Sequence, residues 1–154
     1  MSSSRDPKSY SAATGMIREI IDRHLRIMIV DDSDPFRKSM KFFLSRKYGA
    51  TVAEVGSGWE AVELLACGTA FDLVIIDLVM PGMSGIETYA QIKAIDASCP
   101  MVIMSAFLDS KGWEETGKEG VIVLSKPIPT ETMTQLLFDA ATMALKCIPR
   151  SERC

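Results

Sequence analysis

The sequence predicts one α/β domain built on a doubly wound parallel sheet, and three observations support this prediction. Short runs rich in valine and isoleucine alternate with stretches of helical periodicity along most of the chain. Successive positions in these runs are apolar, as expected for strands covered on both faces. The chain has 154 residues, 47% of them hydrophobic and 24% charged, which suits one globular domain with its own core.

Five strands are predicted from the apolar runs, with right-handed crossovers between them. They are Ile27–Val30, Thr51–Val55, Leu73–Ile76, Val102–Met104 and Val121–Leu124. Strands and helices at this spacing suit the flavodoxin-like order 2-1-3-4-5, in which the winding reverses between strands 1 and 3. A ligand crevice is therefore expected at the carboxyl ends of those two strands.

The stretches between the strands place apolar side chains three and four residues apart, the spacing of one helix face. Helices are predicted over Pro35–Lys47, Gly58–Cys67, Gly85–Ile95 and Pro129–Lys146. The segment Asp109–Glu119 is a weaker helix candidate, because Gly112 and Gly117 each cost about 1 kcal/mol relative to alanine.

An extra amphipathic helix is predicted before the sheet, over residues 13–24. Its apolar stripe consists of Ala13, Met16, Ile17, Ile20 and Ile21. Residues 1–12 are expected to be a flexible leader, residues 25–147 the α/β domain, and residues 148–154 a short polar tail. The stripe must pack on its own domain, on a second copy or on a missing upstream region, so a homodimer is one of the open expectations.

Charge and composition disfavour several classes of function. The formal net charge is −3 and the basic residues are scattered, so no nucleic-acid partner is expected. No apolar run approaches the roughly 20 residues that span a bilayer, and an export signal is absent, so we expect a cytoplasmic protein without membrane contact. The four cysteines form no C-x-x-C pair, which indicates reduced thiols.

Acidic residues end the two strands that border the expected crevice. Asp31 and Asp32 follow strand 1, and Asp77 follows strand 3. Carboxylates this close repel one another unless a cation lies among them, and hard oxygen ligands suit Mg²⁺. Ser105 after strand 4 and Lys126 after strand 5 are expected at the same crevice. A hydroxyl and an ammonium near a metal-bound carboxylate predict a phosphoryl ligand.

Two nearby features have local explanations. Asp34 directly precedes Pro35, so it is interpreted as the N-cap of a helix rather than as a fourth metal ligand. Gly82 and Gly85 are expected to allow a tight loop with positive backbone angles beside Asp77. Neither feature is expected to take part in the chemistry itself.

Four segments around these residues resemble the receiver domain of two-component response regulators, in the CheY-like superfamily. They are Ile29–Asp32, Asp77–Gly85, Ser105–Ala106 and Lys126–Pro127. The segments occur in the family's order, and the resemblance runs from about Leu25 to Lys146. Each segment alone is a weak signal, but four at the correct spacings are specific. The resemblance implies a stand-alone receiver domain over residues 25–147.

The resemblance also implies roles for individual residues. Asp77 would be the phosphate acceptor, assisted by Ser105 and Lys126. Asp32 would bind Mg²⁺ directly, Asp31 would assist through water, and the backbone carbonyl of Val79 would be a further ligand. The peptide bond between Lys126 and Pro127 would be cis.

The implied partners are proteins of a phosphorelay. The donor would be a sensor histidine kinase, a histidine phosphotransfer protein or a small acyl phosphate. Catalysis would be confined to the chain's own phosphoryl transfer, so an enzyme acting on other substrates is not expected. Because only a short polar tail follows Lys146, the output is expected through contact with an unknown downstream protein.

Three departures from the family pattern are visible. Val123 replaces the usual tyrosine or phenylalanine three residues before the strand 5 lysine, which puts an aromatic switch in doubt, and Phe107 is a candidate substitute. The glycine-rich stretch 109–120 is expected to be less protected from hydrogen exchange than the last helix. Val79 cannot orient a hydrolytic water, so a long-lived phosphoryl state is expected.

Three other functions are compatible with parts of the sequence. A receiver-like interaction module that is not phosphorylated would use the same fold. A small haloacid-dehalogenase-type phosphatase is suggested by the D-x-D pattern of Asp32 and Asp34, although Phe36 stands where that family has threonine or valine. A flavodoxin-type electron carrier would need a Ser/Thr/Gly phosphate loop after strand 1, where this chain has acids.

Overall fold

The computed structural model describes residues 7–106 and 121–147. Within these residues, five parallel strands form one sheet in the order β2-β1-β3-β4-β5, which confirms the predicted topology. The strands are β1 (Arg26–Val30), β2 (Thr51–Val55), β3 (Leu73–Asp77), β4 (Met101–Ser105) and β5 (Val123–Ser125). The predicted strand 5 began two residues too early, because the pairing of β5 with β4 begins at Val123, opposite Ile103.

Five helices are described, and they connect or flank the strands as predicted. They are α1 (Pro7–Arg23), α2 (Asp34–Tyr48), α3 (Gly58–Ala66), α4 (Gly85–Ile95) and α5 (Thr130–Cys147). No helix in the described segments is long and apolar enough to cross a membrane. Phe107 and the predicted helix Asp109–Glu119 lie outside the described residues.

Serine side chains cap three of the helices, and one of these caps corrects a prediction. Asp34 is the first residue of α2 rather than its N-cap. The cap is Ser33, whose hydroxyl accepts a hydrogen bond from the Phe36 backbone N–H at 3.4 Å. The Asp34 carboxylate instead forms ion pairs with Arg37 at 2.8 Å and with Lys38 at 2.7 Å, three and four residues later on the same helix. An acid in the first turn suits the positive end of the helix dipole.

The sheet separates two apolar clusters, so both of its faces are buried. Along β1, Ile27 and Ile29 point to one cluster while Met28 and Val30 point to the other, following the period-two alternation of a strand. Residues of α1, α2 and α5 complete the first cluster, and residues of α3 and α4 complete the second. This two-sided packing explains why the strands are continuous apolar runs in the sequence.

The N-terminal helix packs on its own domain, which answers the question that its apolar stripe left open. Ile20 is fully buried in the first cluster with Leu44 and Tyr48 of α2 and Leu137 of α5, and Ile17 packs against the same cluster. The helix begins at Pro7, earlier than the predicted beginning at residue 13, because proline is pre-organised for a first helical position.

Candidate functional site

Three carboxylates meet at the carboxyl ends of β1 and β3, where the winding of the sheet reverses. Asp31 and Asp32 follow β1, and Asp77 is the last residue of β3. One carboxylate oxygen from each of the three lies within 4.8 Å of the others. Asp31 and Asp77 are buried, whereas Asp32 is exposed. The sequence prediction that these acids converge is therefore confirmed.

The loop after β1 holds Asp31 in a fixed orientation. The Ser33 backbone N–H donates to Asp31 Oδ1 at 2.8 Å, and Arg37 Nη1 donates to the Asp31 carbonyl oxygen at 2.6 Å. The Asp31 backbone N–H donates to the Val55 carbonyl of β2 at 3.2 Å. Arg37 was not among the residues predicted for the site; its signal in the sequence is the i,i+3 spacing from Asp34, which places both residues on one side of α2.

Lys126 reaches the cluster from the loop after β5. Its Nζ donates to Asp31 Oδ2 at 2.6 Å and lies 3.5 Å from Asp77 Oδ1. The Lys126 backbone N–H donates to the Ser105 carbonyl at 2.8 Å, which joins this loop to the end of β4. The bond between Lys126 and Pro127 is cis, as the family resemblance implied.

The electrostatics of the cluster favour an additional cation. The pKa of Asp77 is raised, chiefly by burial and then by the negative charge of Asp31, while Lys126 and the Val79 backbone N–H oppose the shift. Three carboxylates share one ion-paired ammonium in the described residues, so the cluster keeps excess negative charge when all three are ionised. A set of carboxylate oxygens with excess negative charge fits a hard divalent cation such as Mg²⁺.

Ser105 ends β4 beside the acidic cluster. It is buried, and the register places its neighbour Met104 opposite Asp77. On its other side, Ser105 pairs with Ser125 of β5, the residue before Lys126. The parallel strands therefore bring Ser105, Asp77 and Lys126 to one edge of the sheet, as the sequence predicted.

The loop after Asp77 contains two glycines with different functions. Gly82 has φ 76°, so the expected positive angle is confirmed there. For Gly85 the expectation was wrong, because this glycine does not have a positive φ. A Cβ at Gly85 would instead overlap the carbonyl oxygen of Asp77, so a close approach of backbones requires glycine at this position.

Two valines, Val79 and Val123, stand at positions where the chain departs from the family pattern. Val79 is exposed at 69%, two residues after Asp77. Val123 is half-buried and packs against the second apolar cluster. The Asp34 carboxylate lies in ion pairs with Arg37 and Lys38 rather than in the acidic cluster, so the D-x-D interpretation lacks its second carboxylate.

Comparisons with known proteins agree with this geometry. The response regulator receiver domain model matches residues 27–138. The two-component response regulator ORR42 of Oryza sativa subsp. japonica is 31% identical over 114 residues, which cover 74% of this chain and 85% of that protein. A cyclic di-GMP phosphodiesterase of Thermotoga maritima is 34% identical over 112 residues, and the match covers 71% of this chain but 29% of that protein.

A solved structure shows the same fold. The response regulator receiver domain protein from Clostridium thermocellum superimposes with a TM-score of 0.73 at 24% identity, covering 80% of this chain and 99% of that one. With the family model spanning most of the chain and the strand order matching, the chain belongs to the response regulator receiver domain family.

Proposed function

We propose that this chain is a phosphorylation-dependent signalling switch in which Asp77 accepts a phosphoryl group. The observation that supports the proposal is the meeting of Asp77 with two further carboxylates and the Lys126 ammonium at one edge of the sheet. The donor is a sensor histidine kinase or a histidine phosphotransfer protein. We further propose that the protein acts in the cytoplasm.

In this proposal, Asp32 and Asp77 would hold Mg²⁺ directly through carboxylate oxygens, Asp31 would assist through water, and the Val79 backbone carbonyl would be a further ligand. Asp32 is the exposed member of the cluster, and Asp31 lies nearer to the Lys126 ammonium, at 2.6 Å, than Asp77 does, at 3.5 Å. Bound Mg²⁺ would neutralise negative charge on the transferring phosphoryl oxygens.

The transfer itself needs few groups from the protein. An Asp77 carboxylate oxygen forms a bond to phosphorus while the bond between phosphorus and the donor's imidazole nitrogen breaks, and the electron pair leaves with the imidazole. The loose transition state spreads negative charge over the equatorial oxygens, which Lys126 stabilises. The Ser105 hydroxyl then donates to an oxygen of the aspartyl phosphate and draws the end of β4 toward Asp77.

The output of the switch is a protein contact that depends on the phosphorylated state. Val123 is a β-branched aliphatic residue, so a rotating aromatic ring at that position does not carry the signal. The chain spans 29% of the phosphodiesterase that it resembles, so the activity of that longer protein is not transferred to it.

Incubation with acetyl phosphate and Mg²⁺, followed by intact-mass spectrometry, tests the proposal. Wild type is expected to gain one phosphoryl group, and Asp77→Asn none. Asp34→Asn is the matched control, because Asp34 lies outside the cluster, and it should retain incorporation.

Two outcomes would favour the alternatives. A wild-type chain that takes up no phosphoryl group supports the module that binds partners without phosphorylation. Steady turnover of a phosphate monoester that depends on Asp32 but not on Asp77 supports the phosphatase.

A further inference from the structure

The ring of Phe36 lies over the ammonium of Lys126. Lys126 Nζ is 4.0 Å from the centroid of the Phe36 ring, well inside the distance at which a cation is attracted to an aromatic face. Phe36 belongs to the first turn of α2 and is half-buried against the first apolar cluster. The ring is therefore held by its own packing, independently of the lysine.

Together, the ring and the carboxylates surround the ammonium. An ammonium carries three N–H donors. Asp31 Oδ2 at 2.6 Å, Asp77 Oδ1 at 3.5 Å and the Phe36 ring face lie around Nζ, and the side chain is only 17% exposed. Lysine otherwise places a compact charge on a flexible four-carbon stem, so these contacts restrict where the charge can lie.

The three contacts differ in how they respond when the site is in use. The attraction of Asp31 and Asp77 for Lys126 weakens when a cation shares their oxygens or when Asp77 is esterified, because each carboxylate then has less charge to offer. The ring quadrupole of Phe36 is unaffected by either event. Phe36 is thus the partner of Lys126 that keeps its strength throughout the reaction.

We propose that Phe36 is a positioning residue for phosphoryl transfer. It holds the Lys126 ammonium beside Asp77 when a cation shares the oxygens of Asp31 and Asp77 or when Asp77 is esterified. This inference rests on the proposed function. It also predicts that Phe36 acts on the lysine and not on the metal ligands, so the two effects can be separated by experiment.

The first test is spectroscopic and needs neither metal nor donor. In protein with ¹³C-labelled lysines, the ε-methylene protons of Lys126 should be shifted upfield by the ring current and should move downfield in Phe36→Leu. Lys126→Met assigns the signal. Lys47 and Lys93 lie over tyrosine rings elsewhere, and their signals should not move. An unshifted Lys126 signal in wild type overturns the proposal.

The second test separates phosphorylation rate from Mg²⁺ affinity. In Phe36→Leu, which keeps apolar volume but has no ring face, the rate of phosphorylation by acetyl phosphate should fall about three- to tenfold. Mg²⁺ affinity by isothermal titration calorimetry should stay the same or tighten slightly, because a looser ammonium competes less for Asp31. Phe36→Tyr should restore the rate.

Phe42→Leu is the matched control, since Phe42 is on the same helix with Arg46 over its ring but is 66% exposed and belongs to neither cluster. It should leave rate and affinity unchanged. An undiminished rate in Phe36→Leu, or a joint loss of rate and Mg²⁺ affinity, overturns the inference while the proposed function stands. Absence of any phosphorylation in wild type overturns the proposed function and the inference with it.

Discussion

Gly85 lies so close to Asp77 that no side chain fits between them. A Cβ at Gly85 would overlap the Asp77 carbonyl oxygen and lie 2.7 Å from the Leu78 Cα. The Gly85 backbone N–H donates to the Leu78 carbonyl at 2.9 Å, which closes the loop onto the end of β3. The start of α4 and the proposed acceptor are therefore one packed unit.

Gly85→Ala is expected to destabilise the domain by about 1–3 kcal/mol, because the backbone must move to relieve the overlap. Because that movement displaces Asp77, phosphorylation should also slow. Urea denaturation and acetyl phosphate labelling measure the two effects. Gly15→Ala is the control: a Cβ there meets no atom within 4 Å, so stability should rise by up to about 1 kcal/mol. Equal stability of the two variants would contradict the packing argument.

Asp32→Asn should separate metal binding from folding. Asp32 is exposed but belongs to the mutually repelling acidic cluster, so removing its charge should leave the metal-free stability unchanged or slightly raised. Wild type should gain about 2.7 kcal/mol at a Mg²⁺ concentration 100 times its Kd, and Asp32→Asn should lose most of this gain at the same concentration. Thermal melts with and without Mg²⁺ provide the measurement. Asp34→Asn should keep the Mg²⁺ effect, and its loss there would argue against the three-acid site.

Two adjacent isoleucines test whether α1 is part of the core. Ile20 is fully buried and Ile21 is 39% exposed. Ile20→Ala should cost about 2–5 kcal/mol, because it leaves a cavity between α1, α2 and α5. Ile21→Ala should cost less than about 1 kcal/mol. Similar losses in both variants by chemical denaturation would mean that α1 is not docked as described.

Val79→Asn should shorten the life of the aspartyl phosphate several-fold, since an amide beside Asp77 can orient a water that valine cannot. Val79 is exposed, so folding should be unaffected. The decay of labelled protein after removal of the donor measures the rate. Val79→Ala adds no polar group and should decay as wild type does. A rate in Val79→Asn that is unchanged or slower would refute the long-lived state as a consequence of Val79.

The two described free cysteines should differ sharply in reactivity. Burial, followed by the nearby Asp96 and Asp72, raises the pKa of the Cys99 thiol to about 12, while Cys67 is exposed on the surface. At pH 8 the Cys99 thiolate is scarce, so alkylation by iodoacetamide should be more than about 100-fold slower than at Cys67. Peptide mass spectrometry measures both sites. In concentrated urea the difference should disappear, and comparable native rates would contradict the burial of Cys99.

Local sequence patterns were sufficient to predict the scaffold of the site. Apolar runs located all five strands, and the acids at the ends of β1 and β3 identified the crevice, because parallel strands end at a common edge. The sequence did not determine which residue caps α2 or why Gly85 is a glycine. Ser33 and Asp34 are both good capping residues, and the backbone angles selected Ser33. The glycine at position 85 indicated an unusual backbone environment. The sequence did not show that glycine is required there because the Asp77 backbone lies so close.

Contacts between distant segments depended on the tertiary structure. The apolar stripe of α1 showed which side of the helix would be buried, but not that Leu44 and Leu137 of its own domain would bury it. Likewise, nothing in the sequence around Phe36 indicated a ring above the Lys126 ammonium. Periodicity and spacing report which face of an element is apolar and where its ends lie. The partner of each face depends on how all the elements pack together, which is a property of the folded chain as a whole.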